Sequence, residues 1–143
     1  MMQNMKQLAQ QEQAQFWRVP EYGDLEMLSA TYITHQFALH YHEEYVIGVV
    51  DRGHYRFWSR GAMRKIYANE IVFINPGEIH SGQANDAHGW RYRTLYPSVT
   101  LMRRIIHDVV GKEADAPLFN SPIVSDPTLA RRFLNMHRCL QHS

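Results

Sequence analysis

The chain is 143 residues long, 45% hydrophobic and 12% aromatic, with a net charge of +1 from 15 basic and 14 acidic residues. That is apolar material for one domain with a single core, and the near-neutral balance gives no electrostatic footprint for gripping a phosphate backbone. A single cysteine, Cys139, excludes an internal disulfide, and neither a signal-peptide run nor the ~20 apolar residues of a spanning helix is present, so a soluble, cytoplasmic protein without a membrane partner is expected.

Residues 1–15 are rich in Gln and Met and read as an N-terminal arm or tail. Packed structure is expected from Phe16 and Trp17, and residues 16–97 then alternate apolar and polar positions between glycine and proline corners, the pattern of short antiparallel strands. Leu25 to Thr31 and Tyr32 to Leu39 read as two strands. A third ends at Gly53, and its partner runs from His54 to Ser59. Ala62 to Tyr67 and Glu70 to Ile74 continue the ladder. Asn75-Pro76-Gly77-Glu78 is a tight turn, Ser81 to Gly89 a polar loop, and Trp90 to Tyr96 the closing strand.

Three positions invite chemistry. His40 and His42 stand two apart, so on a strand both imidazoles project to one face, and unbroken parity carries Arg52 to the same side, the alternative being that it bends outward at the strand end. His80 follows the Asn-Pro-Gly-Glu turn. If the strands close into a barrel, these histidines converge in one cavity. On the closing strand Trp90, Tyr92, Thr94 and Tyr96 share a side that suits a pocket wall, since a tyrosine offers an apolar ring and a hydroxyl.

After Pro97 the period changes. Ser98 can cap a helix whose stripe is Leu101, Ile105, Ile106 and Val109, ended by Gly111. Residues 112–125 read as a linker. Asp126-Pro127 then caps a second helix with a broad apolar face that includes Leu129, Phe133, Leu134 and His137, expected to form a homodimer contact. Residues 98–143 thus form a helical segment, still running at Ser143, which suggests a piece of something longer.

The order His40-Tyr41-His42, Gly53, Asn-Pro-Gly-Glu-Ile-His, Gly89-Trp90-Arg91-Tyr92-Arg93 and Leu95-Tyr96-Pro97 resembles the N-terminal effector-binding and dimerisation domain of AraC-type transcription regulators, over roughly residues 25 to 140. The resemblance implies a mainly β fold: a cupin-type double-stranded β-helix, or jelly-roll barrel, followed by C-terminal α-helices. It implies a small-molecule effector in the barrel, of the sugar, amino-acid or organic-acid class, and DNA binding only through a missing C-terminal helix-turn-helix domain. Carried over residue by residue, the effector wall comprises Arg52, His80, Tyr92 and Thr94, beside His40, His42 and Tyr96.

The alternative comes from the wider cupin superfamily, whose metal-dependent enzymes hold a divalent ion through a His-x-His pair, a glutamate four or five residues on, and a histidine after a Pro-x-Gly turn. His40, His42 and His80 match three of those ligands for a metal such as Zn, Fe or Ni. The fourth fails, because Val46 and Ile47 stand where the glutamate belongs. No nucleophile elbow surrounds Ser81, and no phosphate-cradling glycine loop is present. A sensor without cofactor or catalytic residues is therefore expected, with the metal enzyme as the alternative.

Overall fold

The computed structural model describes residues 12–142. Nine strands and two helices follow in order: β1 (Gln13–Val19), β2 (Leu25–Tyr32), β3 (Gln36–His40), β4 (Val46–Ser59), β5 (Ala62–Tyr67), β6 (Glu70–Ile74), β7 (His80–Ala84), β8 (Trp90–Tyr96), α1 (Val99–Val110), β9 (Ile123–Ser125) and α2 (Pro127–Gln141). Every pairing is antiparallel. One side of the barrel runs β1-β2-β8-β4-β6-β9, and the other joins β3, β7, the second half of β4, and β5.

The 14-residue strand β4 serves both sides. Val46 to Val49 pair with β6, and Tyr55 to Ser59 pair with β7. Between them the register against β8 slips: Val50 faces Tyr92 and Arg52 faces Arg91, which leaves Asp51 as the bulged residue. Gly53 follows with φ of +78°, and a Cβ there would lie 2.4 Å from the Gly89 carbonyl oxygen. Gly53 therefore bends the strand and lets β8 pass, rather than ending it as the sequence suggested.

The interior is filled by Leu28, Val46, Tyr55, Phe57, Val72 and their neighbours, all facing inward. The outer face of the β1-β2-β8-β4-β6 sheet carries two further apolar patches. Val19, Leu25 and Met27 pack under Leu101 of α1, while Val49 and Ile71 pack under Ala130 and Leu134 of α2. Burying a leucine side chain contributes roughly 2 kcal/mol, so these two contacts seat the helices on the barrel. Both helices are capped as their sequences imply: Ser98 Oγ accepts from the Leu101 amide and Asp126 Oδ1 from the Leu129 amide, each at 3.0 Å, and Gly111 ends α1 at φ of +82°.

The expected ranges of β5, β6 and β8 match the structure, and four others need correction. The arm is partly strand, because Gln13 to Gln15 extend β1 along β2; residues 1–11 lie outside the described residues. The supposed loop after His80 begins with β7, and the supposed linker contains β9, paired with β6. Strands β2 and β3 are separated at residues 33–35, where the Glu12 carboxylate accepts from the backbone N–H groups of Ile33, Thr34 and His35. Burial alone would raise the Glu12 pKa, but these bonds together hold it below the usual carboxylate range.

Candidate functional site

The barrel encloses a cavity of about 200 Å³. Its histidine side is assembled from three places in the chain. His40 ends β3 and pairs directly with His80, the first residue of β7. His42 is held beside them because its carbonyl accepts from the Gly77 amide at 2.8 Å. The turn that presents His80 is itself braced: Glu78 pairs with Arg60 at 2.9 Å, Arg60 also donates to the Phe119 carbonyl at 2.6 Å, and Asn75 Oδ1 accepts from the Phe119 amide at 2.8 Å. Here the sequence delivers a defined turn, and the neighbouring loop fixes its angle.

The ligating nitrogens of His40, His42 and His80 lie within 4.8 Å of one another. His40 Nδ1 donates to the Ala38 carbonyl at 2.7 Å and His80 Nδ1 to the Glu78 carbonyl at 3.0 Å. A carbonyl only accepts, so each Nδ1 carries a proton, and in a neutral ring the lone pair is then on Nε2. Burial pushes the His80 pKa down to about 4; its bond to the Glu78 carbonyl opposes this, and the neighbouring His40 and His42 rings add to the lowering. His42 is lowered for the same leading reason, with Glu44 and Glu26 opposing. Burial thus favours the neutral form at both His42 and His80.

The opposite wall is aromatic and hydroxylic. Tyr92, Thr94 and Tyr96 of β8 all face the cavity, with Trp90 stacked on Tyr55 at 5.0 Å between ring centres. His42 lies 5.5 Å from Tyr96, centre to centre, which joins the two walls. Burial raises the pKa of Tyr55, Tyr92 and Tyr96, so their hydroxyls remain protonated donors. Gly48 on β4 makes room for Thr94, whose Oγ1 would lie 3.0 Å from a Cβ at that position. Thr94 Oγ1 and Trp90 Nε1 are buried and have no hydrogen-bond partner among the described residues. Unpaired buried polar atoms cost free energy, and a ligand that meets them recovers it.

Of the sequence-expected wall, His40, His42, His80, Tyr92, Thr94 and Tyr96 come together, and Arg52 does not. Arg52 is exposed and outside the cavity, because the bulge at Asp51 reverses the parity that would have turned it inward. Among the described residues no lysine or arginine lines the cavity, while two carboxylates do: Glu44, and Glu26, which is paired with Arg18 at 2.9 Å. Glu26 lies in Leu25 to Thr31, where apolar residues fall on both faces, so alternation does not say which side is inside. Tyr55 and Phe57 belong to an alternating series, but core and pocket wall share that signature.

The expected dimer residues also divide. Leu134 is 6% exposed and His137 fully buried, both against the chain's own barrel, whereas Leu129 is 45% exposed and Phe133 half-buried. His137 Nε2 donates to the Thr94 carbonyl at 3.0 Å, and its Nδ1 accepts from Arg93 Nη1 at 3.0 Å. Burial, with Arg93 and Arg138 nearby, lowers the His137 pKa to about 4 although the Thr94 bond opposes it, and the neutral tautomer suits both partners. Thr94 thus reaches α2 through its backbone while its side chain faces the cavity. Leu134 and His137 are intramolecular contacts, correcting their expected place at a partner surface.

Solved cupin structures share this architecture. A cupin-like protein from Thermotoga maritima aligns with a TM-score of 0.54 at 20% identity, over 62% of this chain and 69% of that one. A cupin 2 conserved barrel protein from Salinispora arenicola gives 0.53 at 18%, over 76% and 97%. Oxalate decarboxylase of Bacillus subtilis gives 0.53 at 15%, over 80% and 38%. In sequence, the chain is 22% identical over 105 residues to YbfI, an uncharacterized HTH-type transcriptional regulator of Bacillus subtilis (strain 168). The match takes in 73% of this chain and spans about two fifths of that regulator, 38% of its length. Among the described residues no helix is long and apolar enough to cross a membrane. The family model for the AraC-like ligand binding domain matches residues 22–143, most of the chain, and the protein belongs to that family.

Proposed function

We propose that the chain is the sensing module of a cytoplasmic one-component transcription regulator, without turnover, and that its effector is a small hydroxylated molecule carrying no net negative charge. The cavity carries this reading: its buried Thr94 Oγ1 and Trp90 Nε1 lack partners among the described residues, burial holds His42 and His80 toward the neutral form, and of its two carboxylates Glu26 is already paired with Arg18 at 2.9 Å while Glu44 makes no ion pair among the described residues. With Arg52 outside, organic acids lose the guanidinium that would have held them, whereas sugars, and amino acids through their ammonium group, keep their partners. Occupancy would stiffen β8, and the Thr94 carbonyl to His137 contact would pass that change to α2, so ligand shifts the population of helix arrangements. DNA would be bound by a helix-turn-helix domain elsewhere in the full regulator. Homodimerisation would use apolar side chains facing away from the barrel, such as Val109 and Leu129.

A thermal-shift panel of sugars, amino acids and organic acids tests this, because a ligand of the native state raises the melting temperature. Uncharged polyols or amino acids should raise it, and Thr94→Val should weaken the response about tenfold, on the order of one hydrogen bond to a buried group. Preferential stabilisation by di-acids would count against the charge argument.

One observation favours a second reading, a metal-dependent cupin enzyme. His40 and His80 each donate Nδ1–H to a backbone carbonyl, the outer contact that metal-bound histidines usually make. The three residues fit a Zn, Fe or Ni ion in donor type, and His40 and His80 in tautomer as well; such an ion would supply Lewis acidity on the side of the cavity that Tyr96 closes. Val46 and Ile47 leave the carboxylate position of metal cupins empty of a ligand. Elemental analysis of protein purified without a histidine tag separates the readings: stoichiometric metal favours the enzyme.

A further inference from the structure

The outer face of the same strands carries a second concavity, a groove of about 440 Å³ between β1, β2, β8 and one side of α2. Residues directly paired on antiparallel strands project to the same face, and here two such rows lie side by side. Gln15, Ser29 and Arg93 form one row; Gln13, Thr31 and Arg91 form the next. Arg138 reaches in from α2, so three guanidinium groups converge on one groove. The groove's acid is Asp51, the residue extruded by the β4 bulge.

Asp51 does not satisfy them. Its Oδ2 lies 2.9 Å from Arg91 Nε and 3.5 Å from Arg138 Nη2. Arg91 Nε approaches off its N–H direction and is left buried without a hydrogen-bond acceptor. Arg93 gives Nη1 to His137 and Gln141, and Gln141 in turn donates to Gln15 at 2.9 Å, which straps the end of α2 to β1. Each guanidinium carries five N–H groups, so most donors in the groove are unclaimed by these contacts. Residues 1–11, which precede β1, contain neither Asp nor Glu that could neutralise them.

We propose that this groove binds a compact oxyanion of the phosphoryl class, held by Arg91 and Arg138 with the Ser29 and Thr31 hydroxyls on its floor. Paired guanidinium forks match the oxygen spacing of a phosphoryl group, and the concave shape selects a small anion over an extended polymer. The site is separate from the barrel cavity: on β8, Arg91 and Arg93 face out while Tyr92 and Thr94 face in. An anion bridging Arg138 of α2 to Arg91 of β8 would fasten the helix to the sheet, giving the protein a second input independent of the barrel ligand.

Calorimetric titration with inorganic phosphate against chloride of equal ionic strength tests the proposal. Saturable one-site binding is expected, weakened at least tenfold in Arg91→Gln/Arg138→Gln and unchanged in the cavity variant Tyr96→Phe. Asp51→Asn should tighten it several-fold, because it removes the competing carboxylate; that gain remains readable if the double variant folds poorly. Glycerol 3-phosphate distinguishes the sources of the group: tighter binding than phosphate assigns the site to a phosphorylated metabolite, equal binding to the free ion. Phosphate that acts no differently from chloride, or binding that is insensitive to both Arg91→Gln/Arg138→Gln and Asp51→Asn, overturns the site.

Discussion

Helices α1 and α2 carry nearly the same written instructions and meet different fates. Each begins at an oxygen-bearing cap and repeats apolar residues at helical spacing. Yet α2 lies along the barrel and buries Ala130, Leu134 and His137, whereas α1 buries only Leu101 and Met102 in its first turn. Beyond that turn its stripe meets solvent, with Ile105 42%, Val109 79% and Val110 54% exposed. Amphipathic periodicity shows that a helix has a face to bury. It does not show whether the chain's own sheet is there to receive it.

Charge on each stripe should separate the two helices most strongly. Leu134→Asp places a carboxylate in the contact with Val49 and Ile71 and should cost about 4 kcal/mol or more by urea unfolding. Val109→Asp should change monomer stability by less than about 0.5 kcal/mol, and sedimentation should show it weakening the self-association proposed above. Equal losses of stability would erase the distinction.

Acid should act on the barrel and α2 and spare α1. His80 and His137 have folded pKa values of about 4, below the ~6.5 of an unfolded histidine. The unfolded chain therefore takes up protons first as pH falls. Stability from keeping these rings neutral is complete above about pH 6.5, is lost between there and about 4, and amounts to at most roughly 3 kcal/mol per ring. His137→Asn should flatten that slope in urea midpoints measured across this range, and an unchanged slope would exclude His137 as a contributor.

The smallest effect concerns the caps. Asp126→Ala should lower global stability by about 1 kcal/mol, because α2 unfolds with the barrel. Ser98→Ala removes a similar bond, but the far half of α1 is free to fray, so faster hydrogen exchange at residues 106–110 should be the clearer signature.

These contrasts mark what could be read from the chain. Strands β5, β6 and β8, both caps and the inward face of β8 were legible because turn residues and short-range alternation determine them. The three histidines were legible through spacing and a tight turn. The fate of Arg52 was not: a single bulged residue reverses parity, and nothing local in Val49-Val50-Asp51-Arg52 announces it. Nor were β7 and β9, whose polar or short sequences are strands because partners β4 and β6 stand ready to pair with them. Leu134 and His137 carried the right pattern for burial, and only the packed structure identifies what buries them.

The crossing of β4 and β8 has a bearing on how such a ligand-binding barrel can change. A side chain at Gly53 would strike the Gly89 carbonyl, and one at Gly89 would come within 2.1 Å of the Tyr32 carbonyl oxygen. That corner is closed mainly by peptide groups, with the Ile33 side chain beside Gly89, so point substitution there has little to remodel. New ligand preferences would have to arise through His42, Tyr96 and Glu44, where exchangeable side chains form the wall, and the corner would stay constant while the repertoire diverged.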